Sequence, residues 1–157
     1  MRVTVIASGY WNPLHVGHLD YLEAAAKLGD KLVVIVNNDK QVALKNSTRF
    51  LNQADRMRIV RALKCVDDVT LSVDEDGSVC KTLRNVVLHG DYGLSFIHHK
   101  MTNGGRFVFA NGGDRTLENV PEAAVCKELG IEMVYGVGGR KVASSSEMLE
   151  KVACGRS

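Results

Sequence analysis

The stretch VTVIASGYWNPLHVGHLDYLEAAAKLGDKLVVIVN, residues 3–37, decides the fold. Two short β-branched runs, 3–8 and 31–37, enclose a segment in which Leu19, Leu22 and Ala26 recur at helical spacing. This order predicts a strand, a helix and a second strand. Continuous apolar strands joined by helices are typical of a parallel sheet with helices on both faces and right-handed crossovers.

The same alternation continues along the chain. Asn52 is predicted to cap a helix, with Asp55 as its capping-box partner, and a later helix is predicted to contain Pro121 in its first turn and to end at Gly130. Further strands are predicted at 67–73, 106–111 and 131–136, and helices at 53–63, 78–86, 121–129 and 144–153. About five strands alternating with about five helices predict a single doubly wound, Rossmann-like α/β layer.

The length of 157 residues suits one domain, residues 1–157. One stretch, LHGDYGLSFIHHKMTNGGR at 88–106, has no clean period and lies where a strand should already have begun. We expect a surface loop or an insertion there.

Composition excludes several classes of protein. Hydrophobic residues make up 45% and charged residues 24% of the chain, and no apolar run is long enough to cross a bilayer. A net charge of +2 favours neither nucleic acid nor a membrane as a partner. The first residues lack the layout of a secretory signal, and the four widely spaced cysteines predict free thiols in a reducing cytoplasm.

Two histidines surround a glycine at the first predicted junction between strand and helix. In an open parallel sheet, ligands bind beyond the carboxyl ends of the strands, beside helix N-termini that attract anions. His15 and His18 are three residues apart, so they can point to the same side of a first helical turn, and Gly17 allows close approach of backbone or ligand. The alternative is a pair of histidines that only caps the sheet end.

The motif GYWNPLHVGH resembles the G-x-F-D-x-x-H-x-G-H segment of a nucleotidyltransferase superfamily. That superfamily includes glycerol-3-phosphate and ethanolamine-phosphate cytidylyltransferases, heptose-phosphate adenylyltransferases and phosphopantetheine adenylyltransferase. The resemblance covers nearly the whole chain, because ADRMRIVRALKCVDDV, FANGGD and the closing SSS match later motifs in the correct order. Trp11 and Asn12 stand where Phe and Asp are commonest, and we expect them to bear on the choice of acceptor.

The resemblance implies transfer of a nucleoside monophosphate from a nucleoside triphosphate to a small phosphorylated acceptor, with release of pyrophosphate. The sequence slightly favours CMP from CTP, with glycerol-3-phosphate or a similar acceptor. The alternative is an adenylyltransferase that uses ATP and a sugar 1-phosphate such as heptose 1-phosphate. A non-catalytic nucleotide-binding regulatory module is a rival of another class, whereas a dinucleotide-binding enzyme is disfavoured because the chain lacks G-x-G-x-x-G after its first strand.

The resemblance also assigns residues. His15 and His18 would donate hydrogen bonds around the α-phosphorus, and Lys45 would bridge the acceptor phosphate and the α-phosphate. Solvated or capping roles are the alternatives for Lys45, for Arg56 in its helix and for the glycine and serine turns. The expected nucleotide-binding residues are Ser8, Gly9, Tyr10, Gly17, Arg56, Gly112, Gly113, Asp114, Arg140, Ser144, Ser145 and Ser146.

The expected cofactor is Mg²⁺, which bridges phosphate oxygens and needs few protein ligands. A zinc site at His89, His98 and His99 is disfavoured because no cysteine lies near them in sequence. A homodimer is implied by the resemblance alone.

Overall fold

The structure, a computed structural model, describes residues 2–89, 105–113, 115–116 and 119–139. Within these ranges it contains one parallel sheet whose strands are ordered β3-β2-β1-β4-β5. The strands are β1 (Val3–Gly9), β2 (Lys31–Val36), β3 (Asp68–Leu71), β4 (Arg106–Gly112) and β5 (Glu132–Val137). The predicted Rossmann-like α/β fold is confirmed.

Helices connect the strands. They are α1 (Val16–Ala26), α2 (Asp39–Leu44), α3 (Gln53–Arg61), α4 (Cys80–His89) and α5 (Ala123–Leu129). Helix α2 was not predicted, although Asn38 and Gln41 form a complete capping box at its start. In α3, Asn52 accepts a hydrogen bond from the backbone of Asp55, which is one half of the expected capping box.

Two boundaries differ from the prediction. Helix α5 begins at Ala123 and not at Pro121, because Pro121 and Glu122 form a turn before it. Helix α4 extends to His89, so the first two residues of the predicted 88–106 loop are helical, and residues 90–104 lie outside the described part. The predicted last helix at 144–153 also lies outside it.

Alternate residues of the central strands fill two cores, one on each face of the sheet. Val5, Val34 and Val108 pack on one face with α1 and α3, which bury Leu22 and Val60 there. Ile6, Ile35 and Phe109 pack on the other face, under α4 and α5. Because both faces are covered, ligands can reach the central strands only from their ends. No helix of the described ranges is long and apolar enough to cross a bilayer.

Two buried carboxylates fix the N-terminus of α4. Glu122 Oε1 accepts a hydrogen bond from the backbone N–H of Val79 at 2.9 Å, across 43 positions of sequence. Asp74 accepts from the backbone of Lys81 and Thr82 at 2.8 and 3.1 Å. Both carboxylates lie at a helix end that favours negative charge, although the Oε2 atom of Glu122 is buried without a hydrogen-bond partner. Glu122 thereby joins the turn before α5 to the start of α4.

The substitution Glu122→Ala is expected to lower the free energy of unfolding by about 1–3 kcal/mol, since it leaves the Val79 N–H buried without an acceptor. Denaturant titration measures the change. Glu75→Ala, at an exposed position of the same loop region, is the control and should change stability by less than about 0.5 kcal/mol. Equal stability of the two variants would show that the Glu122 contact contributes nothing.

Candidate functional site

The candidate site lies at the carboxyl ends of β1 and β4, where the sheet order reverses. Pairing between these strands stops at Ile6 and Phe109, whereas β1 stays paired with β2 as far as Gly9. The Tyr21 hydroxyl donates to the Ala110 carbonyl at 2.5 Å. A side chain of α1 therefore contacts β4 where the two strands separate, and the crevice beyond it is the usual ligand position in such folds.

His15 and His18 lie at the start of α1 with their rings stacked. Their centroids are 3.7 Å apart and their planes differ by 17°. His15 is the N-cap residue, and its Nδ1 atom accepts from the Gly17 N–H at 3.1 Å. His18 Nδ1 accepts from the His15 N–H at 3.2 Å. The predicted convergence of the two histidines on one side of the helix start is therefore present in the structure.

These hydrogen bonds assign the tautomer of both rings. A nitrogen that accepts a backbone N–H carries no proton, so each neutral imidazole holds its proton on Nε2. Nε2 lies on the far side of each ring from the backbone contact. Both histidines are thus arranged as paired N–H donors, which suits an anion such as a phosphate group.

The Trp11 indole packs against the His18 ring of the histidine pair. The indole is 2% exposed, meets the His18 ring edge-on with centroids 5.0 Å apart, and stacks on Tyr21 at 6.1 Å. A Cβ atom on Gly9 would lie 2.8 Å from the indole, so this position requires glycine. The sequence suggested a role for Trp11 and Asn12 in acceptor choice, but both are buried, with hydrogen bonds to the chain itself.

Asn12 fastens a second loop beside the histidines. Its side chain donates to the Thr48 carbonyl at 2.7 Å and accepts from the backbone N–H of Phe50 at 2.9 Å. Lys45, which ends α2, reaches back so that its Nζ lies 4.5 Å from the centre of the Tyr10 ring. The structure therefore places Lys45 near the segment that carries the histidines, which its predicted role requires. Burial raises the pKa of Tyr10, so its ring stays neutral under the ammonium.

Arg56 is fully buried, and a solvated position on α3 is therefore wrong. Its guanidinium donates to the carbonyls of Tyr10 and Asn37, both at 2.7 Å, and to Leu51 at 3.2 Å. It also pairs with Asp39 Oδ1 at 2.8 Å. These contacts hold neighbouring loops together, so Arg56 is a positioning residue in this structure. Direct contact with nucleotide stays a prediction.

The glycines at the carboxyl ends of β4 and β5, across the crevice from the histidines, have different roles. A Cβ atom on Gly112 would lie 3.0 Å from the Tyr21 ring, and one on Gly138 would lie 2.8 Å from the Tyr21 Cα atom. These two positions therefore let β4 and β5 approach α1 closely. Gly113 has φ +62° and open space where a Cβ would lie, which agrees with the predicted tight turn, and its contact with a ligand stays a prediction.

Several predicted binding residues lie outside the described ranges. They are Asp114, Arg140, Ser144, Ser145 and Ser146. Their roles stay predictions, as does the 90–104 part of the expected loop.

Arg115 is a residue that the sequence analysis missed. It is exposed, and its positive charge lowers the pKa of Tyr10 and Tyr21, although burial is the largest cause and raises both. A basic residue immediately after the Gly-Gly-Asp sequence was the signal that could have identified it. Arg115 therefore adds a positive charge at this end of the sheet.

The side chains described at the crevice suit a nucleotide that carries its own metal ion better than a metal ion bound directly by the protein. Among the described residues, no group of three His, Cys, Asp or Glu side chains is arranged to hold a metal. The groups described at the crevice are N–H donors and cations, which suit phosphate oxygens and not Mg²⁺. Mg²⁺ is therefore treated as part of the nucleotide substrate.

A family model described as cytidylyltransferase-like matches residues 6–146, which includes the histidine segment, the Lys45 loop, the second half of β1 and all of β2 to β5. The chain belongs to this family. The predicted nucleotidyltransferase superfamily is confirmed.

Curated relatives of this cytidylyltransferase-like chain include longer proteins. The bifunctional protein HldE of Streptomyces coelicolor is 37% identical over 157 residues, which cover 96% of this chain and 28% of that protein. The bifunctional protein HldE of Actinobacillus succinogenes is 40% identical, covering 73% of this chain and 24% of its own length. The chain thus spans about a quarter of these relatives.

The chain is also similar to an FAD synthase over a shorter stretch and to a solved structure. An FAD synthase of Thermococcus onnurineus is 45% identical over 69 residues, covering 43% of this chain and 46% of that protein. The crystal structure of a lipopolysaccharide core biosynthesis protein from Thermoplasma volcanium has a TM-score of 0.64 at 24% identity. It covers 86% of this chain and 96% of that one, and it shows the shared fold.

The substitution Tyr21→Phe should flatten the loss of stability at alkaline pH. Burial is the largest cause that raises the pKa of Tyr21 above its usual value of about 10. A group whose folded pKa is raised contributes stability that is complete below the unfolded pKa and is lost as the pH rises past about 10. Denaturant unfolding at about pH 7 and about pH 10.5 should therefore show a smaller decrease for the variant than for the wild type. Equal decreases would contradict this linkage.

Proposed function

We propose that this protein transfers AMP from ATP to a small phosphorylated acceptor and releases pyrophosphate. The observation that carries the proposal is the stacked pair of His15 and His18, with both Nε2–H donors on the side away from the backbone. Its position at the switch point of a parallel sheet supports a phosphate ligand.

Adenylyl transfer is favoured by the relatives. FAD contains an adenylyl group joined to a flavin phosphate, so an FAD synthase is a precedent for this chemistry within the similar proteins. The turn that follows β4, Gly-Gly-Asp, also resembles that of heptose-phosphate adenylyltransferases. A sugar 1-phosphate is therefore our first class of acceptor, and a flavin phosphate is the second.

The reaction needs no general base at neutral pH. The second pKa of a phosphate monoester is near 6, so the attacking oxygen is already ionised. That oxygen forms a bond to the α-phosphorus while the bond to the bridging oxygen breaks, and pyrophosphate leaves with the electron pair. Catalysis then depends on alignment and on donors placed where negative charge develops.

Each residue has a role in this scheme. His15 and His18 donate to oxygens around the α-phosphorus, and Lys45 binds between that group and the acceptor phosphate. Gly112, Gly113 and Asp114 contact the nucleoside, while Arg140 and the serines at 144–146 bind the β- and γ-phosphates. Arg115 neutralises the triphosphate from the wall formed by β4. A homodimer is also part of the proposal and rests on the resemblance.

Cytidylyl transfer from CTP is the second candidate. It is supported by the family model, which is described as cytidylyltransferase-like, and by the sequence resemblance to glycerol-3-phosphate cytidylyltransferases. The acceptor would then be glycerol-3-phosphate or a similar phosphorylated alcohol.

A matrix of substrates tests both candidates. Purified protein with Mg²⁺ is mixed with each of the four nucleoside triphosphates and with sugar 1-phosphates, glycerol-3-phosphate and riboflavin 5′-phosphate, and pyrophosphate release is measured. Release with ATP and a sugar or flavin phosphate supports the first candidate, whereas release with CTP and a phosphorylated alcohol supports the second. Absence of release from every pair, together with absence of triphosphate binding by calorimetry, would overturn both.

The substitution His18→Ala should reduce kcat by about 10²–10³-fold, because it removes a donor to the developing charge. Its effect on the melting temperature should be smaller than that of Trp11→Ala, which removes the buried indole beneath it. Steady-state kinetics and thermal unfolding measure the two effects. An unchanged kcat in a folded His18→Ala protein would remove this histidine from the mechanism.

A further inference from the structure

A second cation lies on the loop that Lys45 begins. Arg49 is 57% exposed, and its Nη1 contacts Asp39 Oδ2 at 3.3 Å. Asp39 already has a closer partner, because buried Arg56 pairs with its other oxygen at 2.8 Å. An exposed pair of this length contributes little to stability. Arg49 is therefore not needed to neutralise Asp39.

Arg56 links the two residues that Lys45 and Arg49 contact, Tyr10 and Asp39. One guanidinium donates to both the Tyr10 carbonyl and Asp39 Oδ1, so these two acceptors lie within a few ångströms of each other. Lys45 lies over the Tyr10 ring, and Arg49 lies at Asp39. Along α2, six residue steps separate Asp39 from Lys45, a distance of about 9 Å. Long basic side chains easily span that distance.

The loop that carries both cations is fixed to the histidine segment. Asn12 holds it through the Thr48 carbonyl and the Phe50 N–H, on either side of Arg49. The Leu51 carbonyl, two residues further on, accepts from Arg56. The backbone of Arg49 is therefore set at a defined position relative to His15 and His18, while the guanidinium itself stays largely in solvent.

We propose that Arg49 binds the phosphate group of the acceptor and forms a subsite for it beside Lys45, which connects this subsite to the α-phosphate. The chemistry fits, because the guanidinium fork matches two phosphate oxygens and uses one of its five donors on Asp39. This inference rests on the proposed nucleotidyl transfer and adds the residue that selects for a phosphorylated acceptor.

In this subsite Arg49 binds the oxygens of the acceptor phosphate that do not react. The third oxygen stays ionised and forms the bond to the α-phosphorus, as the bond to pyrophosphate breaks. The Asp39 carboxylate orients the Arg49 guanidinium through their contact at 3.3 Å. Arginines on both of its oxygens outweigh the effect of burial and hold the pKa of Asp39 below its usual range.

The test compares Arg49→Gln and Arg49→Lys with Arg58→Gln, an exposed arginine on α3 that serves as the control. For the active pair of substrates, Arg49→Gln should raise KM for the acceptor by roughly 10–100-fold, because a charge-assisted contact is lost. KM for the nucleoside triphosphate and its calorimetric Kd should change by less than about 3-fold. Arg49→Lys should recover part of the acceptor KM, since an ammonium keeps the charge but lacks the fork.

The outcomes separate this inference from the proposed function. If the wild type is active and the acceptor KM of Arg49→Gln equals that of Arg58→Gln, the subsite is wrong and nucleotidyl transfer stands. A lowered melting temperature with equal effects on both KM values would assign Arg49 a structural role and also overturn the subsite. If the wild type releases no pyrophosphate from any pair, the proposed function fails and the subsite fails with it.

Inorganic phosphate provides a second measurement. It should inhibit the wild type competitively against the acceptor, and Arg49→Gln should raise its inhibition constant by a factor similar to that for the acceptor KM. Phosphate that competes only with the nucleoside triphosphate would contradict the subsite.

Discussion

The buried guanidinium of Arg56 is the interaction on which the site depends. It links the residue after β1, the residue after β2, the start of α2 and the loop before α3 through Tyr10, Asn37, Asp39 and Leu51. A fully buried charge is stable only when hydrogen bonds and an opposite charge compensate for its lost hydration. Here three carbonyls and one carboxylate provide that compensation. Removing any one of these acceptors would leave a buried N–H of Arg56 without a partner, at the cost of an unsatisfied buried group.

Arg56 joins the histidine segment and the Lys45 loop into one rigid unit. The histidine segment follows Tyr10 directly, and the Lys45 loop ends at Leu51, so the same side chain holds both. Asn12 adds a second connection between them. Phosphate transfer depends on alignment of the attacking and leaving oxygens. In the proposed reaction, a scaffold that fixes the histidine segment and the Lys45 loop relative to each other would contribute to the rate without touching the substrate.

The sequence predicted much of this fold because the strands are β-branched runs with helical stripes between them. It missed α2, which is short and polar at its start, although Asn38 and Gln41 stand at the spacing of a capping box. The placement of His15, His18 and Gly17 together at the start of α1 could be predicted, because all three belong to one short sequence motif. The burial of Arg56 could not be predicted, because its acceptors come from four separate segments. The same holds for Glu122, which caps a helix 43 residues earlier, and for Gly138, whose neighbour is Tyr21.

Asn12 holds the Lys45 loop by its main chain alone. The carbonyl of Thr48 and the N–H of Phe50 are present whatever side chains these positions carry. Residues 47–50 can therefore exchange side chains while their path beside the crevice stays the same. A single substitution in this loop thus changes the side chain presented beside the histidine segment and leaves the backbone that positions it unchanged. The anchor separates the shape of the loop from the chemistry of its side chains.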